Sequence, residues 1–257
     1  MKSKKSTSTP RHGLARILSK QGLASRTQAA EWIRQGRVSV NGQVVCDPEF
    51  PVQTGVDVVS VAGQVTGSVE RIVLMLNKPR GLVTTTKDEQ DRETVYSCFA
   101  GAELPWIAPV GRLDKASEGL LLFTNDPQWA ASITSPETGP DKTYHVQINA
   151  IPDEADLQTM LRGVNMDGEM LSAKAVKILR SGEKNAWLEI VLDEGKNRQI
   201  RRLLSGFDYE VLRLIRVAIG SLQLGDLAKG QWRVLSALEL SELQSGKKTD
   251  KSANARK

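Results

Sequence analysis

Residues 111–126 read GRLDKASEGLLLFTND. An apolar run ends at Val110, Gly111 permits a sharp turn, Arg112 and Asp114 stand in the loop that follows, and Gly119 opens a second apolar run. Loops held by strands on both sides are favoured places for reactive groups, because the strands fix the ends while the loop presents side chains. Asp114 is therefore a candidate for chemistry. Taken alone it is also one of 30 acidic residues, and an isolated acid is ordinarily a solvated surface group.

From Arg71 outward the pattern is a succession of β-rich runs: IVLML, LVTTT, GLLLFT, TYHVQI, AKAVKIL, AWLEIVL and EVLRLIRVAI. Helical stretches are expected near 127–134, 153–162 and 197–205. Strands that do not alternate regularly with helices imply an α+β domain with a mixed or antiparallel sheet, here assigned to 71–244. Three further stretches carry candidate residues. LNKPRG (76–81) forces a turn after a buried strand and presents Lys78 and Arg80 at its end. KTYHVQI (142–148) places Tyr144 and Val146 on one face of a strand, a position more often filled by core residues. EGKNRQIRRLL (194–204) turns at a glycine into a helix bearing Lys196, Arg198, Arg201 and Arg202 within seven residues, an anion-site candidate for which solvated charge is the bland alternative.

Residues 12–63 read as a smaller unit of their own. Leu14, Ile17 and Leu18 have helical spacing, Ser25 and Gln28 form a capping-box pattern for a second helix, Gly36 ends that helix, and Asn41-Gly42 within RVSVNGQVV predicts a two-residue hairpin. Arg16, Lys20, Arg26, Arg34 and Arg37 against Glu31 give residues 12–37 a surplus of +4, suited to a phosphate backbone. Residues 64–70 read as a polar linker. The segments 1–11 and 245–257 read as basic arms, disordered by composition; each carries +4, and against the net charge of +5 that leaves the interior at −3, so any polyanion site must be local. Such arms either attract RNA or only solubilise.

The 257 residues suffice for two domains. No window approaches a membrane span, and the basic N-terminus lacks the apolar segment of a secretory signal, so a cytoplasmic location without membrane association is expected. Cys46 and Cys98 are isolated, with His12 and His145 the only histidines, so neither a disulfide framework nor a zinc site is expected. No Walker loop or dinucleotide fingerprint is present, and no cofactor is expected.

The order GLASRTQAAEWIRQGRVSVNG resembles the α-L RNA-binding domain shared with a primary-binding protein of the small ribosomal subunit. The four stretches of the larger domain, with LIRVAIGSLQLGDLAKGQWR near its end, resemble the ribosomal-RNA pseudouridine synthases of bacteria. That resemblance implies that Asp114 is the catalytic aspartate, Tyr144 the active-site tyrosine, Arg201 the basic residue that pairs with the aspartate, and Arg112 the arginine that helps displace the target base. It implies an isomerase that breaks the C1′–N1 bond of a uridine, turns the uracil over and joins C5 to the same carbon. A carboxylate suits attack at C1′ or at uracil C6, or a glycal route, and the sequence does not choose among them. Arg112, Lys196, Arg198, Arg202, Lys78 and Arg80, with the five basic residues of the first unit, are the expected RNA contacts. The expected partner is ribosomal RNA or a pre-ribosomal particle, with large-subunit RNA favoured over small-subunit RNA, and the expected state is a monomer. Two other classes stay open here: an RNA-binding module without activity, and a glycoside hydrolase, which needs a second carboxylate beside Asp114.

Overall fold

Ser25 accepts a hydrogen bond from the Gln28 amide at 3.0 Å and starts the Arg26–Arg34 helix, as the capping pattern predicts. In the computed structural model, which describes residues 11–67, 69–86 and 88–245, the chain forms two units. The first runs to Ile72 and includes two short segments, 103–108 and 124–128. Its helices Leu14–Lys20 and Arg26–Arg34 bury Leu14, Leu18, Ala29 and Ile33 against Val38, Val40 and Val59 of a four-stranded sheet. The hairpin turns at Asn41 and Gly42, both at positive φ (51° and 83°), and the Asn41 side chain bonds Asp57 and the Val58 amide at 2.9 Å. The stretch read as a linker begins inside this sheet, because Gln64–Val65 pairs with Val59–Val61. Arg11, assigned to the basic arm, pairs with Gln53, and Ser245 ends a helix. The rest of both arms, 1–10 and 246–257, lies outside the described residues.

The second unit is built on a nine-stranded sheet, confirming an α+β fold with mixed strands. Along it the order is Ala175–Ser181, Ala186–Leu192, Lys142–Ile148, Val211–Ile219, Glu118–Thr124, Val73–Lys78 and Trp232–Val234, with two short strands attached at its side. Val211–Ile219 runs parallel to Glu118–Thr124 and antiparallel to Lys142–Ile148. All seven residues of Glu118–Thr124 are buried, which accounts for its unbroken apolar run. One core sets Val146, Ile148, Leu188 and Ile190 against Leu157 and Met160 of the Glu154–Arg162 helix and Leu203 of the Gln199–Ser205 helix. Another joins Met75, Leu120 and Leu122 to Trp129 and Ile133 of the Pro127–Thr134 helix and to Leu243 of the Ala237–Ser245 helix.

The run LVTTT is not a strand. Its one bridge joins Val83 to Thr94, and the Thr84 hydroxyl bonds Leu113 instead of facing a strand partner. No helix among the described residues is long and apolar enough to cross a membrane.

Candidate active site

The loop from Gly111 to Ser117 is shaped by its carbonyl groups. The carbonyl of Leu113 accepts from the Thr84 hydroxyl (2.7 Å), that of Asp114 from the Lys78 ammonium (3.2 Å), and that of Lys115 from the Gly81 amide (2.8 Å). Ala116 accepts from the Arg201 guanidinium (3.4 Å), and Ser117 from Lys78 again (2.9 Å). Consecutive carbonyls satisfied by other parts of the fold make the loop a fixed element. The backbone of Asp114 is thus held in place while its side chain, 37% exposed, remains available.

Lys78 is the centre of this arrangement, and it corrects the sequence reading. It is 0% exposed and donates to the carbonyls of Pro79, Asp114 and Ser117, so it anchors the loop and has no surface to offer a phosphate. Burial lowers its pKa from 10.5 to about 8, with Asp114, Cys98 and Glu118 pulling the other way. Arg80, two residues on, is exposed.

The loop borders a cavity of about 200 Å³ whose wall includes Asp114, Arg112, Tyr144, Arg198, Arg201 and Arg216. Apolar side chains of Val110, Ile133, Leu192 and Ile219 complete much of the rest. Tyr144 reaches it from the Lys142–Ile148 strand and is half-buried, and Arg112 is exposed. Asp114 Oδ2 lies 3.5 Å from Nη1 of Arg198, the residue before the Gln199–Ser205 helix. Arg198 has φ 46°, a left-handed backbone that costs a residue with a Cβ about 1–2 kcal/mol. Strain of this kind concentrates at functional positions.

Arg201 differs from its expected geometry. Nη1 and Nη2 donate to the carbonyls of Val211 (3.2 Å) and Ala116 (3.4 Å), so in this structure the ion pair with Asp114 belongs to Arg198 while Arg201 braces the loop. Burial lowers the Arg201 pKa, neighbouring Arg198 adds to that shift, and Asp114 opposes it, so all three charges share one field.

Lys196 and Arg202, two of the expected RNA contacts, have partners within the fold. Lys196 bonds Glu194 (3.0 Å) and the Met170 carbonyl (2.8 Å), and Arg202 bonds Glu169 (2.6 Å) and the Met166 carbonyl (3.0 Å). Both tie local structure together. Arg16, Lys20, Arg26, Arg34 and Arg37 are all exposed on the first unit, with the Arg37 guanidinium 5.4 Å from the Trp32 ring centroid. Glu118, the acid nearest Asp114 in sequence, is 3% exposed and bound by Arg213 (3.1 Å) and Lys229 (2.6 Å). Burial alone raises its pKa, but those partners reverse the shift and lower it, so Glu118 is tied up and does not serve as the second acid that glycoside hydrolysis needs. Sequence reasoning passed over Arg216, whose signal was an arginine at a buried-face position of the run LRLIRVAI.

Known proteins share this organisation. The profile of a family described as RNA pseudouridylate synthase matches residues 72–206, and that of the S4 domain matches residues 13–58. An RNA pseudouridine synthase of Rickettsia bellii (strain RML369-C) is 37% identical over 220 residues, 86% of this chain and 95% of the relative. The ribosomal large subunit pseudouridine synthase B of Bacillus subtilis (strain 168) is 34% identical over 235 residues, 90% of this chain and 95% of the relative. A crystal structure of a pseudouridylate synthase superposes with a TM-score of 0.62 at 29% identity, covering 91% of this chain and 99% of that chain.

Proposed function

We propose, from the fact that this chain belongs to the RNA pseudouridylate synthase family and carries an S4 domain ahead of it, that it isomerises one uridine of large-subunit ribosomal RNA with Asp114 as nucleophile. The observation that carries the reading is the loop itself: five consecutive carbonyls are pinned so that one carboxylate faces the cavity beside Arg198 and Tyr144. A nucleophile gains from being fixed before the substrate arrives.

In this reading the target nucleotide leaves its stack, and the exposed Arg112 fills the space it vacates. Asp114 attacks the nucleotide, Arg198 orients the carboxylate while Arg201 braces the loop that carries it, and Tyr144 stacks on the uracil and removes the C5 proton after the ring has turned. Arg80, Arg112 and Arg198 guide the phosphates near the cavity, and the exposed cations of the first unit hold the RNA more generally. Because the product is an isomer of the substrate, the reaction consumes no co-substrate. The reading carries with it a monomeric, cytoplasmic enzyme.

Asp114→Asn keeps the shape and removes the nucleophile. Pseudouridine mapping of ribosomal RNA should show one large-subunit site lost in cells without the protein, restored by the natural chain and not by Asp114→Asn. Restoration by the variant would refute the role of Asp114, and a lost site in small-subunit RNA would refute the substrate.

A further inference from the structure

Along the Val211–Ile219 strand the residues Leu214, Arg216 and Ala218 alternate into the interior. Leu214 and Ala218 are apolar, as such positions require, whereas Arg216 is a guanidinium at 5% exposure. No carboxylate among the described residues forms an ion pair with it. Nε donates to the Leu120 carbonyl at 2.7 Å, and Nη2 is buried without a hydrogen-bond partner. A buried donor left unmade is costly, and such exceptions call for an explanation.

The position of Arg216 supplies one. In the sheet register it lies opposite Tyr144 on one side and Gly119 on the other, and its side chain lines the same cavity as Asp114. Its place is fixed closely: a Cβ on Gly119 would stand 2.3 Å from the Arg216 carbonyl oxygen, so the two strands meet backbone to backbone. The exposed cations near the cavity, Arg80, Arg112 and Arg198, suit phosphates, which stay with the RNA chain at the surface. The group that travels furthest inward from a flipped nucleotide is the base.

We infer that Arg216 reads the flipped base, its guanidinium donating to a carbonyl oxygen of the uracil. The inference rests on the function proposed above and names a residue that function had not used. Where that oxygen is O4 it also gives the cavity a means of discrimination, because cytosine presents an amino donor at C4 where uracil presents a carbonyl acceptor, and two donors repel, whereas the C2 carbonyl is common to both bases. A cationic donor at a carbonyl also stabilises the negative charge that gathers on the ring oxygens as C1′–N1 breaks, or as C6 is attacked, and it retains the ring while it turns.

The test compares the natural enzyme and Arg216→Met on an RNA fragment carrying the mapped uridine, with uridine, 2-thiouridine or 4-thiouridine at that position. Sulfur accepts hydrogen bonds poorly. The natural enzyme should lose about tenfold in kcat/KM on one of the two thio-RNAs, the size of one hydrogen bond to a charged donor. Arg216→Met should already be slower on the uridine RNA and should lose nothing further on that thio-RNA, with the salt dependence of binding unchanged. Natural enzyme that treats both thio-RNAs like uridine overturns the inference, as does a full additional thio loss in the variant, or a variant whose salt slope falls by about one, which marks a phosphate contact. Should circular dichroism show Arg216→Met unfolded, Arg216→Lys, which keeps the charge but loses the planar fork whose separate nitrogens reach Leu120 and the base, takes its place in the comparison. Absence of pseudouridine from the uridine RNA itself would count against the proposed function rather than against Arg216.

Discussion

Lys78 is a charged side chain with no exposed surface, and its role follows from what it touches. Three carbonyls surround the ammonium, two of them in the loop that carries Asp114. Burial lowers its pKa to about 8, whereas the unfolded chain keeps this proton to about 10.5. Between those values the unfolded state binds more protons, so the contribution of Lys78 to stability rises with pH, by up to about 3 kcal/mol across the window. Lys78→Met removes that rise. Melting temperatures of the two proteins between pH 7.5 and 10.5 should therefore diverge in favour of the natural chain as pH increases, and a constant difference would refute the assignment. Arg198 and Arg201 make a related point. Both lie within a few residues in sequence, but one reaches the carboxylate and the other the loop backbone, a division that spacing alone does not reveal.

At the scale of elements, the parallel pairing of Glu118–Thr124 with Val211–Ile219 brings Asp114, Tyr144 and Arg216 to one cavity. Gly119 allows it, with φ 101° and the Arg216 backbone oxygen and nitrogen 2.3 and 2.9 Å from where a Cβ would sit. Backbone atoms in the middle of a sheet cannot turn aside as a flexible side chain can. Gly119→Ala should accordingly destabilise by more than about 3 kcal/mol, combining a forbidden φ with a direct clash. Denaturant unfolding measures this, and a midpoint within error of the natural chain would sink the argument. The helices were legible to differing degrees. Ser25 capped its helix as its pattern indicated, with a bond from the Gln28 amide alone, whereas Ser236 and Glu239 form a reciprocal cap for Ala237–Ser245. That second pattern stands in the sequence too, but no strong apolar stripe follows it to mark a helix.

At the scale of the molecule, the proposed function assigns the holding of RNA to the exposed basic residues of the first unit and its conversion to the pinned carboxylate of the second. Deleting residues 1–66, a cut placed after the Gln64–Val65 strand, should raise KM and reduce the salt slope of binding while leaving kcat within a few-fold, the pattern of lost uniform binding. Turnover at saturating RNA decides it: a kcat down by about a hundredfold in a folded remnant would mean that the first unit helps build the reactive complex. The sequence by itself determined the two units, the α+β class, the apolar central strand and the loop with Asp114, because hydrophobic periodicity, turn residues and caps act over a few neighbours. The partners of each charge were decided only in three dimensions. Lys78 and Arg80 differ by two positions, yet one is sealed under the loop and the other faces water, and Arg216 entered the cavity through strands distant in sequence. Hydrogen bonding and burial of a charged group depend on what the fold brings to within a few ångströms, and that is a property of the tertiary structure.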